Sequence, residues 1–228
     1  MIELRNVTKY FRTNNGRKYI LHNTTLVLPE VNIGILGRNG AGKSTLMRML
    51  GKIEFPNKGK IASSKSFSWP LGLGGGFVAD MTGKANVKFV CGLYGKTEEE
   101  TSVIVLRVRE FSELGDYFDM PIKTYSSGMR GRLGFGLSLA FDFDYMIIDE
   151  TLSVGDASFR AKAKAALKKK IETCHVLLVS HDMKTLSDIC QSGLLVHDGQ
   201  LYYYDDIDDA IKRYQEINEI KEMNEKHT

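Results

Sequence analysis

Cysteine is scarce. Cys91, Cys174 and Cys190 are odd in number and lack metal-ligand spacing, which excludes a disulfide framework and a thiolate zinc site and reads as reduced core residues of a cytosolic protein. An excess of one charge is also missing. Lys and Arg total 31 against 28 Asp and Glu, and the resulting +3 is too small to imply a nucleic-acid partner by itself. Long apolar runs are absent, each spanning only a handful of residues, and Met1-Ile2-Glu3-Leu4-Arg5 lacks the apolar region of a signal peptide. The expectation is a chain that does not cross a membrane and acts at one only through a partner. There is no internal repeat, low-complexity tract or linker. What is present suffices for a core: 228 residues, 43% of them hydrophobic, fit one domain or a core with a subdomain.

The most informative stretch is Gly37-Arg38-Asn39-Gly40-Ala41-Gly42-Lys43-Ser44, preceded by the apolar run Asn32-Ile33-Gly34-Ile35-Leu36 and followed by Thr45-Leu46-Met47-Arg48-Met49-Leu50. It fits G-x-x-x-x-G-K-S, the phosphate-cradling P-loop. A buried strand leads into a tight loop, glycines let backbone N–H groups approach phosphate oxygens, and the next helix turns its positive end to the same anion. Lys43 would reach the β- and γ-phosphates, and the Ser44 hydroxyl would ligate Mg²⁺. A second signal is the strand Tyr145-Met146-Ile147-Ile148-Asp149-Glu150, apolar until it ends in two carboxylates. Parallel sheets place ligands at such strand ends. Asp149 would hold Mg²⁺, directly or through water, and Glu150 could orient and deprotonate an attacking water. The run 175–182 repeats the design and ends in Ser180-His181-Asp182, from which His181 can reach a γ-phosphate.

Around these the periodicity predicts half-buried strands at 2–7 and 24–28 with a turn at 13–17, and Tyr10 and Phe11 just before that turn either stack on a base or simply pack. A turn at 55–59 precedes a short strand from Lys60, and 68–77 is a flexible, aromatic-bounded glycine loop, suited to a hinge or a close backbone approach, or else a long surface loop. Residues 84–112 read as helical, with Val87, Val90, Cys91 and Tyr94 on one face and then Val103, Leu106, Val108 and Phe111. Ser126 or Ser127 caps a helix running to Phe141. The 157–172 helix is basic, as a solvated face or as one for acidic lipid or a partner. Asp198-Gly199 signals a hairpin between 193–197 and 200–203, and a charged amphipathic helix follows from 207.

In order and spacing, the P-loop, Ser126-Ser127-Gly128-Met129-Arg130, the 145–150 strand, Val154-Gly155-Asp156 and Val179-Ser180-His181-Asp182 resemble the nucleotide-binding subunit of an ABC transporter over essentially the whole chain. The resemblance implies an α/β P-loop NTPase fold with an N-terminal antiparallel β subdomain. It implies a single domain over 1–228, a helical subdomain inserted at about 84–140 and a C-terminal hairpin and helix at 193–228. It implies ATP and Mg²⁺ as ligands, Gly37 through Thr45 around the phosphates, and Phe11 as the adenine-stacking aromatic beside Tyr10. ATP is sandwiched between two copies in this family, so Ser126, Ser127 and Gly128 would meet nucleotide held by the other copy. Asp156 matches the loop that links the copies, and His181 the switch histidine.

Two departures narrow the type. Ser127 and Met129 replace the usual glycine and glutamine, and no glutamine occurs before Gln191, so the coupling glutamine expected near 68–76 has no counterpart and its Mg²⁺ and coupling roles stay unassigned. With Val154-Gly155-Asp156-Ala157-Ser158-Phe159, Thr82-Gly83, Asn86 and Ser68-Trp69-Pro70-Leu71-Gly72, these features look like the subunits that export polysaccharides, and an end at Thr228 suits the compact capsular type. The implied protein is an ATP hydrolase at the cytoplasmic face of the inner membrane, a homodimer beneath an integral permease, with no nucleic-acid partner. Export of teichoic acid or O-antigen is the alternative. A soluble ABC ATPase acting on DNA or ribosomes would carry a coiled-coil insertion or a second cassette, and neither is present.

Overall fold

The computed structural model describes residues 1–14, 16–69, 77–149 and 156–225, with side chains to residue 220. The chain forms two compact units: Met1–Pro70, Asp144–Glu150 and His175–Thr228 in the first, Leu71–Phe143 and Thr151–Cys174 in the second.

The first unit holds two sheets. Strands β1 (Ile2–Thr13), β2 (Gly16–Leu28) and β4 (Lys58–Ala62) form an antiparallel sheet in the order β2-β1-β4. Its first strand departs from the expected alternation. Asn6 takes φ 50°, the register shifts between Leu4 and Val7, and Val7 turns into the core while Asn6 faces out. The fourth strand begins at Lys58, inside the segment expected to be a turn.

The second sheet runs β5-β6-β3-β7-β8, with β3 (Ile33–Leu36) between β6 (His175–Val179) and β7 (Ser192–His197), β5 (Tyr145–Asp149) outside β6, and β8 (Gln200–Tyr204) antiparallel at the far edge. Parallel strands covered on both faces should be continuously apolar, and all four β3 residues are buried. Asn32 sets the register at its start: the side-chain carbonyl accepts from Val176 N–H at 3.1 Å, and its NH₂ donates to Ile189 O at 3.0 Å. The β7–β8 turn has Asp198 and Gly199 at φ 45° and 74°, as an Asp-Gly hairpin requires. Helix α1 (Lys43–Leu50) leaves the loop after β3 and buries Leu46, Met47, Met49 and Leu50.

One expectation is corrected at the outer edge of β5. Ser68, assigned to a flexible loop, is fully buried; its hydroxyl accepts from Ile147 N–H at 2.8 Å, and Phe67 stacks on Tyr145 at 5.3 Å. A serine in a Ser/Gly-rich stretch looked like loop because its partner, a strand-edge amide, lies 79 residues away.

The second unit is helical: α2 (Gly83–Leu93), α3 (Glu98–Ser112), α4 (Ser127–Ala140) and α5 (Ala157–Lys170). Each start carries a side-chain cap, from Thr82, Thr97, Ser126 and Asp156, and Thr97 with Glu100 completes a capping box. The stretch expected to be helical at 84–112, with its two apolar segments, forms α2 and α3, separated around Gly95 (φ 66°). The buried face of α3 also differs: Ile104, Val105, Val108 and Ser112 point inward, while Val103 and Leu106 are exposed. Phe111 stacks on Phe135 at 5.8 Å and meets Phe159 edge-on at 5.6 Å, holding α3, α4 and α5 together. On the basic helix α5, Lys162 donates to Glu113 at 2.6 Å and Lys170 to Asp142 at 2.7 Å, while Lys164, Lys168 and Lys169 are exposed. Among the described residues no helix is long and apolar enough to cross a membrane.

Candidate functional site

The loop from β3 to α1 is shaped by its glycines. Gly37, Gly40 and Gly42 have φ of 150°, 78° and 108°, and a Cβ on Gly37 would come 2.7 Å from the carbonyl oxygen of Val196. Ala41 N–H donates to Arg38 O at 3.1 Å, closing the loop, and Leu46 N–H donates to Gly42 O at 2.9 Å as α1 begins. Gly42 caps α1 without a side-chain bond, and no acidic residue stands in the first turn. The leading N–H groups and the positive end of the helix are therefore left to an anion. Lys43 lays its ammonium across this loop, donating to Gly37 O at 2.6 Å and Arg38 O at 3.2 Å. Arg38 adds a buried Nη1 without a hydrogen-bond partner. These features suit a polyphosphate: donors converge and positive charge is in place.

The parallel sheet brings two further residues, His181 and Asp149, to the same edge. Ile35, Val179 and Asp149 lie in one row across β3, β6 and β5, so Gly37, His181 and Asp149 all fall at C-terminal strand ends. Lys43, Gly37, Ser180 and His181 share a gap of about 10 Å³, closed by Met183 and by Tyr214 from the C-terminal helix. Asp149 and Ser44 are half-buried, and Thr45 is buried in the first turn of α1. A carboxylate and a hydroxyl are a donor set that fits Mg²⁺, which takes few protein oxygens and completes its shell with water and phosphate. Asn39 and Gly40 are exposed, and Ala41 is half-buried. Phe11 is 41% exposed on β1, its ring 5.2 Å from the Lys9 ammonium, while Tyr10 packs on Tyr19 at 5.6 Å under the Arg17 guanidinium.

In the helical unit Ser126 caps α4, accepting from Met129 N–H at 3.2 Å; Ser126 and Ser127 are exposed and Gly128 is half-buried. A cavity of about 420 Å³ opens beside them, lined by Glu113, Tyr117, Met129 and Arg132. Asp156 caps α5 through Phe159 N–H at 2.9 Å and accepts from Arg132 at 2.7 Å. The Phe159 bond, followed by the Arg132 charge, holds its carboxyl below the usual aspartate range. Glu150, Val154, Gly155 and the 70–76 glycine run lie outside the described residues. Sequence reasoning missed Tyr214 and Arg132. Tyr214 had a signal, since it continues the 207, 210, 211 stripe of its helix.

Residues 21–153 match the family model described as ABC transporter. The chain is 48% identical over 217 residues to the polysialic acid transport ATP-binding protein KpsT of Escherichia coli, covering 94% of this chain and 96% of that one. It is 39% identical to the capsule polysaccharide export ATP-binding protein CtrD of Neisseria meningitidis serogroup B, covering 95% and 100%. Among solved structures, the post-hydrolysis dimer of the ATP-binding cassette MJ0796 bound to ADP and Pi superposes with a TM-score of 0.75 at 20% identity, over 90% of this chain and 98% of that one.

Proposed function

The chain belongs to the ABC transporter family and is an ATPase of it, and we propose that it energises export of a capsular polysaccharide. It would work as a homodimer on the cytoplasmic face of the inner membrane, beneath an integral permease. The observation that carries the substrate class is the 48% identity, over nearly the full length of both chains, to a protein named for polysialic acid transport.

In this reading the 37–45 backbone and Lys43 hold the triphosphate, and the Lys43 ammonium offsets charge as it develops on the transferred phosphoryl group. Lys43 would exchange its bonds to Gly37 O and Arg38 O for phosphate oxygens. The Ser44 hydroxyl and the Asp149 carboxylate would hold Mg²⁺, which would supply positive charge against the phosphates. Glu150 accepts the proton of the attacking water, His181 donates a hydrogen bond to the γ-phosphate, and Phe11 stacks on adenine. Ser126, Ser127 and Gly128 of the second copy close the site from the other side.

Purification from detergent-solubilised membranes should bring down an integral membrane protein with the chain. Cells carrying only Lys43→Ala should retain polysaccharide inside and show none at the surface. Surface polysaccharide at the wild-type level in that variant would sink the export reading.

A further inference from the structure

Lysine is among the residues least often buried unless paired, yet Lys9 on β1 is only 7% exposed. Its ammonium forms an ion pair with Glu54 Oε1 at 2.8 Å and donates to Phe55 O at 2.8 Å, both in the segment between α1 and β4. The other oxygen of the same carboxylate accepts from Arg48 Nε at 2.9 Å, and Arg48 Nη2 donates to Thr45 Oγ1 at 3.2 Å in the first turn of α1. Burial works to raise the Glu54 carboxyl, but the Lys9 and Arg48 hydrogen bonds outweigh it and hold the group below the usual glutamate range, charged at neutral pH. The backbone on either side of Lys9 is fixed as well: Asn57 N–H donates to Thr8 O at 2.8 Å, and Tyr10 N–H donates to the Asn57 side-chain carbonyl at 2.7 Å.

Lys9 and Phe11 are two apart on one strand, so both side chains stand on the same face of the sheet, and the Lys9 ammonium lies over the Phe11 ring, 5.2 Å from its centroid. We propose that Lys9 is a positioning residue for the nucleotide base: clamped by Glu54 and Phe55, it backs the Phe11 ring and holds it as the platform for adenine. The proposal rests on the reading of Phe11 as the base-stacking aromatic. Desolvation offsets most of what a buried ion pair gains, and an apolar pair of the same volume would hold β1 about as well. What the ammonium adds is its field on the ring. The faces of a phenyl ring are negative and disfavour a face-to-face sandwich with another π-system; a cation against one face draws that charge away and lets the opposite face stack on a purine. Phe11 keeps 41% of its surface exposed, which leaves it open to a base. Through Glu54 and Arg48 the platform joins one hydrogen-bonded network with Thr45, so the base and the phosphates of one ATP would meet groups tied to each other.

The test is a double-mutant cycle on the full chain, with Lys9→Met, Phe11→Ala and the two combined, read by equilibrium dialysis of radiolabelled ATP with Mg²⁺ and by thermal melting. Lys9→Met keeps the length of the stem and removes the charge, while Arg48 still pairs with Glu54. It should weaken ATP binding about fivefold. In the Phe11→Ala background the same change should alter affinity by less than about twofold, because the ring through which Lys9 acts is gone. Should Lys9→Met fail to fold, Lys9→Gln, which is neutral and keeps a donor for Phe55 O, carries the same test with the same expectation. Wild-type affinity in the neutral variant would overturn the proposal, as would an equal loss with and without the Phe11 ring, which is what a purely structural Lys9 would give. Failure of the wild-type chain to bind ATP would remove the ATPase reading itself, and wild-type affinity in Phe11→Ala would remove the platform. Binding that depends on Phe11 and is indifferent to Lys9 removes only this role.

Discussion

Gly42→Ala tests the phosphate cradle through its backbone. Gly42 has φ 108° and ψ 12°, which costs an L-residue about 1–2 kcal/mol. The new Cβ would also overlap Cγ2 of Ile20, a residue only 5% exposed and held in β2. The flexible partner is therefore the loop, which must move by a sizeable fraction of an ångström and take the Gly42–Lys43–Ser44 amides with it. Misplacement on that scale costs up to about 100-fold in rate, so kcat/KM for ATP should fall by about 10- to 100-fold while the fold persists. Ile20→Ala removes Cγ2 and leaves Cβ at 3.4 Å, an ordinary contact. In Gly42→Ala/Ile20→Ala the steric part should then vanish and the backbone part remain, recovering about tenfold relative to Gly42→Ala alone despite the cost of about 2–4 kcal/mol for the emptied Ile20 site. Nucleotide binding by fluorescence and phosphate release read both effects. Wild-type kcat/KM in Gly42→Ala, or no recovery in the double variant, would refute the reasoning.

Ser68→Ala leaves the buried Ile147 N–H without its acceptor, which should cost about 2 kcal/mol and lower Tm by about 4–8 °C in a chain of this size, as read by calorimetry; an unchanged Tm would remove Ser68 as the latch of β5. The three thiols should be inert in the native chain. Cys91, Cys174 and Cys190 are buried, burial raises all three, and Cys190 is pushed up to about 12, so thiolate is scarce at neutral pH. Titration with a thiol reagent should find them only after unfolding, and rapid reaction of any one below the unfolding transition would contradict their burial.

The features legible in the sequence were those written in local patterns. Gly37 to Ser44 announces its own geometry because spacing and residue type both serve one loop, and Asp198 with Gly199 acts within two residues. Patterns failed where the period is broken or the partner is distant. The Asn6 bulge turns Val7 inward, a change of phase that strict alternation does not foresee. Val103 and Leu106 were placed on the inner face of α3, yet Ile104 and Val105 occupy it, because the unbroken apolar run from Val103 to Leu106 allows more than one phase. Ser68 and Tyr214 owe their places to partners far along the chain. Lys43 and His181, both expected at a γ-phosphate, line one gap because β3 pairs with β6.

The central claim is that one chain carries half of each ATP site. Light scattering on Glu150→Gln reads it most directly, since that change should retain ATP binding while stopping turnover. With saturating ATP and Mg²⁺ the mass should be twice the 25.6 kDa of the chain, returning to 25.6 kDa when Lys43→Ala is added. A Glu150→Gln chain that binds one ATP per copy and stays at 25.6 kDa would contradict the account.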